Sequence, residues 1–419
     1  MRQSQLFTRV ERNAPKEEVA LNAQLLTRGG FVYKNSAGIY SYLPLGWRVI
    51  QKISAIIREE MNAIGGQELL MAALHDKHYL QATGRWDVPV VFKVVSGEEK
   101  TPLFNMSWTH EEIIAEIVTQ YVRSYKDLPF AAYQIQTKFR HEPRAKSGLL
   151  RGREFLMKDL YSFHGSEEDL FRYYAEVANA YHRVFERCGL KAYYTLAAGG
   201  DFTLSNTHEF QVVADVGEDT IYICEKCDYA ENDEVSKLKD GGECPKCGGK
   251  ISVKKAIEVG NIFPLGVKYS EAFGLKFKDE TGQTKPVVMG SYGIGVSRLM
   301  GVCAELFHDD RGLMWPAAIA PFAAHLIVLS GADAKTGEQV RARADALYDQ
   351  LTAAGIEVLY DDRQEMTAGE KFSEADLVGI PMRLVVSQKT GDQVEVKKRS
   401  EVSATLVDFD RAASYCIQK

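Results

Sequence analysis

Residues 139–163 read Phe139-Arg-His-Glu-Pro-Arg-Ala-Lys-Ser-Gly-Leu-Leu-Arg-Gly-Arg-Glu-Phe-Leu-Met-Lys-Asp-Leu-Tyr-Ser-Phe163. Residues 132–139 alternate polar and apolar side chains, and residues 149–163 are rich in large apolar and aromatic residues, so we expect two strands joined by a loop. A guanidinium binds phosphate with paired hydrogen bonds, and this hairpin holds more cations than solubility requires. They are Arg140, Arg144, Lys146, Arg151 and Arg153. The hairpin predicts a polyphosphate site, with a solvated basic hairpin as the alternative.

The hairpin resembles motif 2 of the class II aminoacyl-tRNA synthetases, which reads Phe-Arg-x-Glu, a loop, and Arg-x-x-x-Phe. The sequence of residues 148–159 resembles the bacterial type of the prolyl-tRNA synthetase family closely. The resemblance covers roughly residues 1–235 and 257–419. It implies a set of ATP contacts in the hairpin: Arg140 at the α-phosphate and the substrate carboxylate, Glu142 at the adenine edge, Arg151 at the outer phosphates, and Phe155 stacked on adenine. In the same family the loop with Arg144 and Lys146 contacts the acceptor end of tRNA.

Length and composition limit the class of protein. A chain of 419 residues with 45% hydrophobic residues predicts two or three domains with sizeable cores. The sequence has no apolar run near 18 residues and no secretory leader, so we expect no membrane span and a cytoplasmic location. The net charge of −6 argues against nonspecific coating of nucleic acid but allows a local basic surface.

Residues 46–64 place apolar side chains at helical spacing and are followed by Gly65-Gly66, which predicts an amphipathic helix. A short strand at residues 68–71 should follow it. The pair resembles motif 1, which implies a homodimer, although Ala72 stands where the family usually has proline. An ordinary core helix is the alternative.

Residues 107–112 precede another helical pattern. Thr109 and Glu112 have the spacing of a capping box. The resemblance implies instead that Thr109 and Glu111 bind the amino group of proline, whose N–H donors would each meet an acceptor. Both interpretations can hold together.

Residues 199–211 depart most from the family. His208 and Glu209 match it, but Thr203 and Leu204 stand where the family has glycines. The resemblance implies that His208 lines the proline pocket. We expect Mg²⁺ to accompany ATP and neutralise its phosphates, with Glu209 as a candidate ligand. A structural histidine is the alternative.

Four cysteines form the pattern C-x2-C-x16-C-x2-C, which is typical of a structural zinc site. They are Cys224, Cys227, Cys244 and Cys247. We expect a zinc-ribbon-like insertion at residues 221–256. Many bacterial members carry an editing domain between segments that resemble Tyr229–Asn232 and Ile257–Phe263, but only 24 residues separate those segments here. Such a domain cannot fit, so mischarged alanyl-tRNA should not be cleared by this chain.

Residues 286–289 predict a strand, residues 290–295 a glycine-rich turn, and Val296 the start of a helix with Arg298 in its first turn. This segment resembles motif 3 and implies that Arg298 contacts the γ-phosphate of ATP, where the helix N-terminus also favours an anion. Ser291 stands where bacterial members often have cysteine in the proline pocket.

Residues 322–419 alternate strand and helix patterns and predict a small α/β domain. The segment resembles the anticodon-binding domain of the synthetase subgroup that includes the prolyl enzymes. Arg363 and Lys371 are candidate tRNA contacts, with solvated surface charges as the alternative.

We therefore predict an α+β catalytic domain with an antiparallel sheet (residues 1–220 and 257–318), the insertion, and the α/β domain. The resemblance implies an enzyme that activates proline with ATP and transfers it to its tRNA. A related enzyme for another amino acid or carrier, and a catalytically silent RNA-binding protein, are the alternatives.

Overall fold

The computed structural model describes residues 1–16, 18–98, 100–145, 147–200, 202–203, 206–331 and 333–416. The chain divides into two compact units. Unit 1 consists of Met1–Ser36, Tyr40–Lys52 and Met300–Lys419, and unit 2 of Ala37–Ile39 and Ile53–Leu299. Among the described residues, no helix is both long and apolar enough to cross a membrane.

The α-helices of the described residues are α1 (Leu21–Arg28), α2 (Pro44–Ala63), α3 (Lys77–Ala82), α4 (Glu111–Thr119), α5 (Glu167–Arg187), α6 (Lys268–Phe273), α7 (Val296–Leu306), α8 (Ala334–Ala353), α9 (Ala368–Val378) and α10 (Phe409–Cys416). Short 3-10 turns lie at Gln3–Gln5, Tyr125–Asp127 and Gly148–Leu150. The strands are β1 (Val32–Ser36), β2 (Ile39–Tyr42), β3 (Gly66–Glu68), β4 (Leu74–Asp76), β5 (Lys93–Val94), β6 (Phe104–Met106), β7 (Phe130–Phe139), β8 (Glu154–His164), β9 (Ala192–Ala197), β10 (Thr207–Val213), β11 (Asp219–Cys224), β12 (Ala230–Asn232), β13 (Ile251–Gly266), β14 (Lys276–Lys278), β15 (Thr284–Pro286), β16 (Val288–Gly295), β17 (His308–Asp309), β18 (Gly312–Leu313), β19 (Ala324–Leu329), β20 (Val358–Asp361), β21 (Met382–Ser387), β22 (Gln393–Lys398) and β23 (Thr405–Asp408).

A nine-stranded sheet organises unit 2, with the order β10-β9-β12-β11-β13-β16-β8-β7-β3. Its pairs are antiparallel except β9–β12 and β3–β7. Helix α5 begins at Glu167 after its cap Ser166 and buries an apolar stripe against one face of the sheet. The opposite face carries the polar side chains of the site described below.

The predicted hairpin is present, but its second strand is shorter than predicted. Strand β7 pairs with β8 from Phe130↔Phe163 to Phe139↔Glu154. The expected strand at residues 149–153 is wrong, because Gly148 has a φ of 63° and starts a 3-10 turn in which Leu149 is buried. This turn forms the end of the loop between the two strands.

The predicted turn at residues 290–295 is also wrong, because these residues belong to β16 in the middle of the sheet between β13 and β8. The glycines serve close packing there. A Cβ at Gly290 would lie 2.3 Å from the hydroxyl of Tyr292, and one at Gly293 would lie 2.9 Å from the amide oxygen of Asn261. Helix α7 begins at Val296, as predicted.

Two further local predictions need correction. The strand expected at residues 68–71 lies at Gly66–Glu68 as β3. The capping box at Thr109 does not form, because the cap position of α4 is His110, which makes no side-chain cap bond, and the Thr109 hydroxyl bonds the carboxylate of Glu111 instead. The helix predicted at residues 46–64 is confirmed as α2.

The C-terminal part of unit 1 is a five-stranded sheet in the order β20-β19-β21-β22-β23, with the first three strands parallel. Helices α8 and α10 cover a core on one face, and α9 covers a smaller cluster on the other. The alternation of strands and helices predicted for residues 322–419 is present, and β23 and α10 at its end were not predicted. Residues 1–36, assigned from the sequence to the catalytic domain, group here with residues 300–419, and the Met1 amino group donates to the Val358 carbonyl at 2.8 Å.

Candidate active site

One cavity of about 230 Å³ in unit 2 collects all five residues that the sequence predicts for the ATP site. Its lining includes Arg140, Glu142, Arg151, Phe155 and Arg298. Arg140, Glu142 and Arg151 come from the segment between β7 and β8, Phe155 from the start of β8, and Arg298 from the first turn of α7. The long β7–β8 pairing and the central β16 thus bring two distant segments to one place.

Arg140 lies at the inner side of this cavity. Its guanidinium carbon is 5.3 Å from the centre of the Phe155 ring, and its buried Nε has no hydrogen-bond partner among the described residues. Burial and the nearby positive charge of Arg298 lower the pKa of Arg140. A cation with an unused donor in such a place is suited to bind an anion.

Arg151 is held by two carboxylates at the mouth of the cavity. Its Nε lies 2.8 Å from Glu142 Oε2, and its Nη1 bonds Glu218. Burial acts to raise the pKa of Glu142, but the hydrogen bond from Arg151 lowers it below the ordinary value. Since Arg151 and Glu218 are nearly half exposed, their ion pair contributes little to the stability of the fold. Another anion can therefore replace the carboxylate at Arg151.

Arg298 also has a protein partner. Its Nη1 donates to the backbone carbonyl of Glu258 at 2.6 Å and lies 3.2 Å from the carboxylate of the same residue. Glu258 was not predicted from the sequence, which gives no signal for a carboxylate on the neighbouring strand β13. The cavity therefore holds cations paired with carboxylates that phosphate oxygens could replace.

A second cluster surrounds Glu111 and is much more buried. Glu111 is 1% exposed, accepts a hydrogen bond from the Thr109 hydroxyl, and accepts another at 3.1 Å from Ser291 Oγ. Thr109, Glu111 and Ser291, predicted from distant motifs, therefore lie together. Arg85 joins them, with Nη1 3.2 Å from Glu111 Oε2. Sequence reasoning missed Arg85, because a single cation after a glycine carries no recognisable pattern.

A buried polar network supports this cluster from beneath. Lys138 Nζ lies 2.7 Å from the carboxylate of Asp159 and 2.9 Å from His110 Nδ1. His110 Nε2 donates to the Ala72 carbonyl at 3.0 Å, so its Nδ1 accepts from Lys138. Burial lowers the pKa of His110 well below its ordinary value, which keeps the ring neutral. The backbone next to Thr109 and Glu111 is thus fixed by satisfied polar groups.

His208 lies on the face of the sheet that packs against α5 and does not belong to the Glu111 cluster. Its ring stacks on Tyr194 at 4.1 Å, and its Nδ1 lies 3.0 Å from the hydroxyl of Tyr174 on α5. Successive side chains of a strand point to opposite faces, so His208 faces α5 while Glu209 faces the other side. Leu204, the predicted departure beside it, lies outside the described residues; Thr203 is described.

Glu209 accepts hydrogen bonds from Gln211 at 2.9 Å and Asn232 at 3.2 Å. Burial and the nearby charge of Glu258 raise the pKa of Glu209 to about 8. The Glu258 carboxylate also receives Arg298 and the Asn261 amide, and a further cation between the two carboxylates would lower their mutual repulsion. The described side chains do not, however, gather a third metal-binding group around them.

The four cysteines converge on one point. Their Sγ atoms all lie within 4.8 Å of one another, with 3.5 Å between Cys224 and Cys247 and 3.8 Å between Cys227 and Cys244. Four sulfurs bound at about 2.3 Å to a tetrahedral zinc ion are roughly 3.8 Å apart, so the cluster has the size that zinc requires. The backbone N–H groups of Lys226 and Cys227 point at the Cys224 sulfur, as expected for a thiolate.

The predicted tRNA contacts are dispersed. Arg144 is exposed in the loop between β7 and β8, and Lys146 lies outside the described residues. In unit 1, Arg363 pairs with Asp361 and Glu374. Lys371 is buried and donates to the Val328 carbonyl at 2.9 Å, so its charge is used inside the fold. Both Arg363 and Lys371 line a cavity of about 780 Å³ at the carboxyl ends of β19 and β21.

Two family models match the chain. The one described as the tRNA synthetase class II core domain (G, H, P, S and T) matches residues 94–307, and the one described as an anticodon binding domain matches residues 318–419. Together they match more than half of the chain and agree with the predicted class II catalytic and anticodon-binding folds.

Curated relatives align over almost all of the chain. The proline–tRNA ligase of Geobacillus kaustophilus is 35% identical over 555 residues, covering 96% of this chain and 97% of the relative. The proline–tRNA ligase of Halothermothrix orenii is 32% identical over 558 residues, covering 98% and 97%. Because these alignments are longer than the 419 residues of this chain, part of each relative has no counterpart here.

A solved structure is similar in fold. The crystal structure of prolyl-tRNA synthetase from Cryptosporidium parvum complexed with L-proline and AMP superposes with a TM-score of 0.76 at 18% identity, covering 94% of this chain and 73% of that one. At this identity the likeness shows the fold.

Proposed function

The chain belongs to the proline–tRNA ligase family of class II aminoacyl-tRNA synthetases, and we propose that it activates proline with ATP and transfers it to the 3′ end of the proline tRNA. One observation supports this activity above the others. The five predicted ATP residues line one cavity, while Thr109, Glu111 and Ser291 cluster as an amino-acid site in the same unit.

In the first proposed step, a carboxylate oxygen of proline attacks the α-phosphorus of ATP. The new O–P bond forms as the bond between the α-phosphorus and the bridging oxygen breaks, and pyrophosphate leaves with both electrons of that bond. Arg140 neutralises charge on the α-phosphate, while Arg151 and Arg298 bind the outer phosphates. Orientation of two bound anions can supply on the order of 7–11 kcal/mol of barrier reduction.

In the second proposed step, a hydroxyl of the terminal ribose of tRNA attacks the carbonyl carbon of prolyl-adenylate, and AMP leaves. We propose that Arg144 and Lys146 contact the acceptor end. In unit 1 we place anticodon nucleotides at the 780 Å³ cavity, where Arg363 contributes charge and Phe372 an aromatic face. Lys371 supports this cavity through its backbone bonds.

The amino-acid site is built to bind an ammonium group. Glu111 supplies the carboxylate, and Thr109 supplies a second oxygen beside it. Ser291 donates to Glu111 and so orients it from the other side. His208, whose ring packs against Tyr174 and Tyr194, is left out of the proposed proline contacts.

Zinc is the metal that the four cysteines suit. Four thiolates with no open position would make a structural site, which would hold together the segments that join β11, β12 and β13 in the nine-stranded sheet. Cys247→Ser should lower both the zinc content, measured by metal analysis, and the thermal midpoint of unfolding. Cys416→Ser, outside the cluster, serves as the control, and zinc binding that survives the Cys247→Ser change would contradict the proposal.

Magnesium would enter with ATP and neutralise its phosphates. Glu209 is the proposed protein ligand, since its partly buried carboxylate lies near that of Glu258.

A homodimer is the proposed assembly. Several large apolar side chains of unit 2 are exposed at and after the motif 1 segment: Leu70 at 72%, Leu74 at 51%, Ile117 at 37% and Tyr121 at 74%. Exposed apolar side chains that form one patch are typical of an interface, and we propose that these four do. The expected location of the assembly is the cytoplasm.

Editing is the activity that we propose this chain lacks. A pocket rejects a smaller apolar amino acid by only about 10- to 200-fold for each missing methylene, so exclusion of alanine by the proline site is limited. Alanyl-tRNA made in a reaction with purified protein should therefore persist. Its hydrolysis well above the spontaneous rate would contradict this proposal.

The test of the proposed function is ATP–pyrophosphate exchange with a panel of amino acids. Exchange should depend on proline and should be lost in Arg298→Ala. Exchange that depends on another amino acid and not on proline would overturn the choice of substrate, and folded, zinc-loaded protein without exchange would favour a silent RNA-binding protein.

A further inference from the structure

Arg85 is a buried cation at the centre of the amino-acid site. It follows α3 and the turn at Gly84, whose φ is 71°, and its backbone N–H donates to the Leu80 carbonyl at 2.7 Å. The whole residue is only 4% exposed. The backbone therefore fixes where its side chain enters the core of unit 2.

The Arg85 guanidinium connects two adjacent carboxylates. Its Nη1 lies 2.9 Å from Glu112 Oε1 and 3.2 Å from Glu111 Oε2. Glu112 is fixed in turn, because the Thr83 hydroxyl donates to the same Oε1 at 2.8 Å. A continuous chain of polar contacts thus runs from Thr83 through Glu112 and Arg85 to Glu111.

Aromatic rings hold the guanidinium in place. Its central carbon lies 4.1, 5.0 and 5.5 Å from three ring centres, those of Trp108, Phe202 and Tyr269. Among the described residues, Nε and Nη2 of Arg85 have no hydrogen-bond partner. The aromatic faces compensate the charge by cation–π attraction, which restrains the side chain without directing it away from Glu111.

Each side of Glu111 is therefore fixed by a donor. Arg85 and Thr109 contact Oε2, and Ser291 contacts Oε1. Arg85 is the charged member of this set and the one anchored by a second carboxylate. We propose that Arg85 is a positioning residue, which holds Glu111 in the orientation that accepts the amino group of the substrate; this inference rests on the proposed function.

The test separates proline binding from ATP binding in the exchange reaction. Arg85→Met keeps an unbranched side chain within the aromatic rings but removes the forked donor. Its KM for proline should rise about tenfold or more, while its KM for ATP stays within about twofold and kcat per active site changes little. Active sites are counted by the burst of adenylate formation. Arg85→Lys retains the charge and should recover part of the loss.

A matched control removes the effect of general destabilisation. Arg399 is 6% exposed and bonds Asp309 at 2.8 Å in unit 1, so Arg399→Met also breaks the ion pair of a buried arginine. It should lower the thermal midpoint and leave the KM for proline unchanged. Should Arg85→Met not fold, Arg85→Lys provides the test, with a rise of about threefold expected in the KM for proline.

Two failures can be told apart. Exchange by the unmodified protein that does not depend on proline would overturn the proposed function. Proline-dependent exchange with an unchanged KM for proline in the folded Arg85 variants would overturn the positioning role alone.

Discussion

The ATP cavity and the Glu111 cluster use charge in opposite ways. In the cavity, Arg151 and Arg298 pair with carboxylates near the mouth, and Arg151 is nearly half exposed. In the cluster, Glu111 and Arg85 are almost fully buried and receive several fixed contacts. In the proposed function, phosphate oxygens replace the carboxylates of the first region, whereas the amino group of the substrate joins the existing contacts of the second. We infer that ATP binding rearranges ion pairs and that proline binding needs little rearrangement.

The largest expected effect is at Glu111. Glu111→Gln removes the anion that we propose binds the amino group and leaves Arg85 with a weaker partner, so kcat/KM for proline should fall at least about 100-fold, or roughly 3 kcal/mol. The KM for ATP in the exchange reaction should stay within about twofold.

Glu112→Gln is the matched control, because its amide oxygen can still accept from Thr83 and Arg85. It should impair proline use much less. Equal losses of kcat/KM for proline in Glu111→Gln and Glu112→Gln would contradict the proposal that Glu111 is the carboxylate that binds the amino group.

The next effect is expected at Arg151. Arg151→Ala removes a cation for the outer phosphates, and its KM for ATP should rise about 10- to 100-fold with a nearly unchanged KM for proline. Arg144→Ala changes an exposed cation in the same loop and should leave the KM for ATP unaltered. If Arg151→Ala raised the KM for ATP and the KM for proline alike, the ATP cavity and the Glu111 cluster would not act separately.

Acid should lower the stability of the fold near the Glu111 cluster through protonation of His75. Burial lowers the pKa of His75 to about 4, and its Nε2 donates to the Ala72 carbonyl at 2.9 Å. Since the pKa of an unfolded histidine is higher, near 6.5, the unfolded chain gains the proton first and stability is lost as the pH falls from 6.5 toward 4.

His75→Gln keeps a donor that does not titrate. Between pH 7 and pH 5, its free energy of unfolding should fall by about 1–2 kcal/mol less than that of the unmodified protein, measured by urea denaturation. Parallel curves for the two proteins would contradict this role of His75.

The smallest effect is expected at Glu218. It competes with phosphate for Arg151, but the pair is exposed and Arg151 keeps Glu142. Glu218→Gln should therefore lower the KM for ATP by at most about twofold. A raised KM for ATP would mean that Glu218 helps to bind the nucleotide.

Much of the ATP cavity could be predicted because its residues lie in short continuous patterns. Arg140, Glu142, Arg151 and Phe155 occupy one hairpin, whose pairing follows from the alternation of residues 132–139. The contacts of Glu111 could not be found in this way. Arg85 precedes it by 26 residues and Ser291 follows it by 180, and no local spacing relates them.

Other predictions failed where tertiary packing overrode local preference. The glycines of residues 290–295 indicate a turn by composition, yet these residues lie in a central strand. Glycines are needed there because larger side chains would collide with Tyr292 and Asn261. Lys371 is predicted from the sequence as a candidate tRNA contact, with a solvated surface charge as the alternative, but its Nζ bonds the carbonyls of Val328 and Asp361 inside unit 1. A single sequence does not reveal which lysines and arginines are buried and hydrogen-bonded inside the fold.

The most direct measurement is a crystal structure with a stable analogue of prolyl-adenylate and with pyrophosphate. The account predicts that phosphate oxygens replace Glu218 at Arg151 and Glu258 at Arg298, while Glu111 keeps its contacts with Arg85 and Ser291 and accepts from the proline nitrogen. Arginines that retain their carboxylate partners, or a Glu111 that leaves Arg85 to reach the ligand, would contradict it.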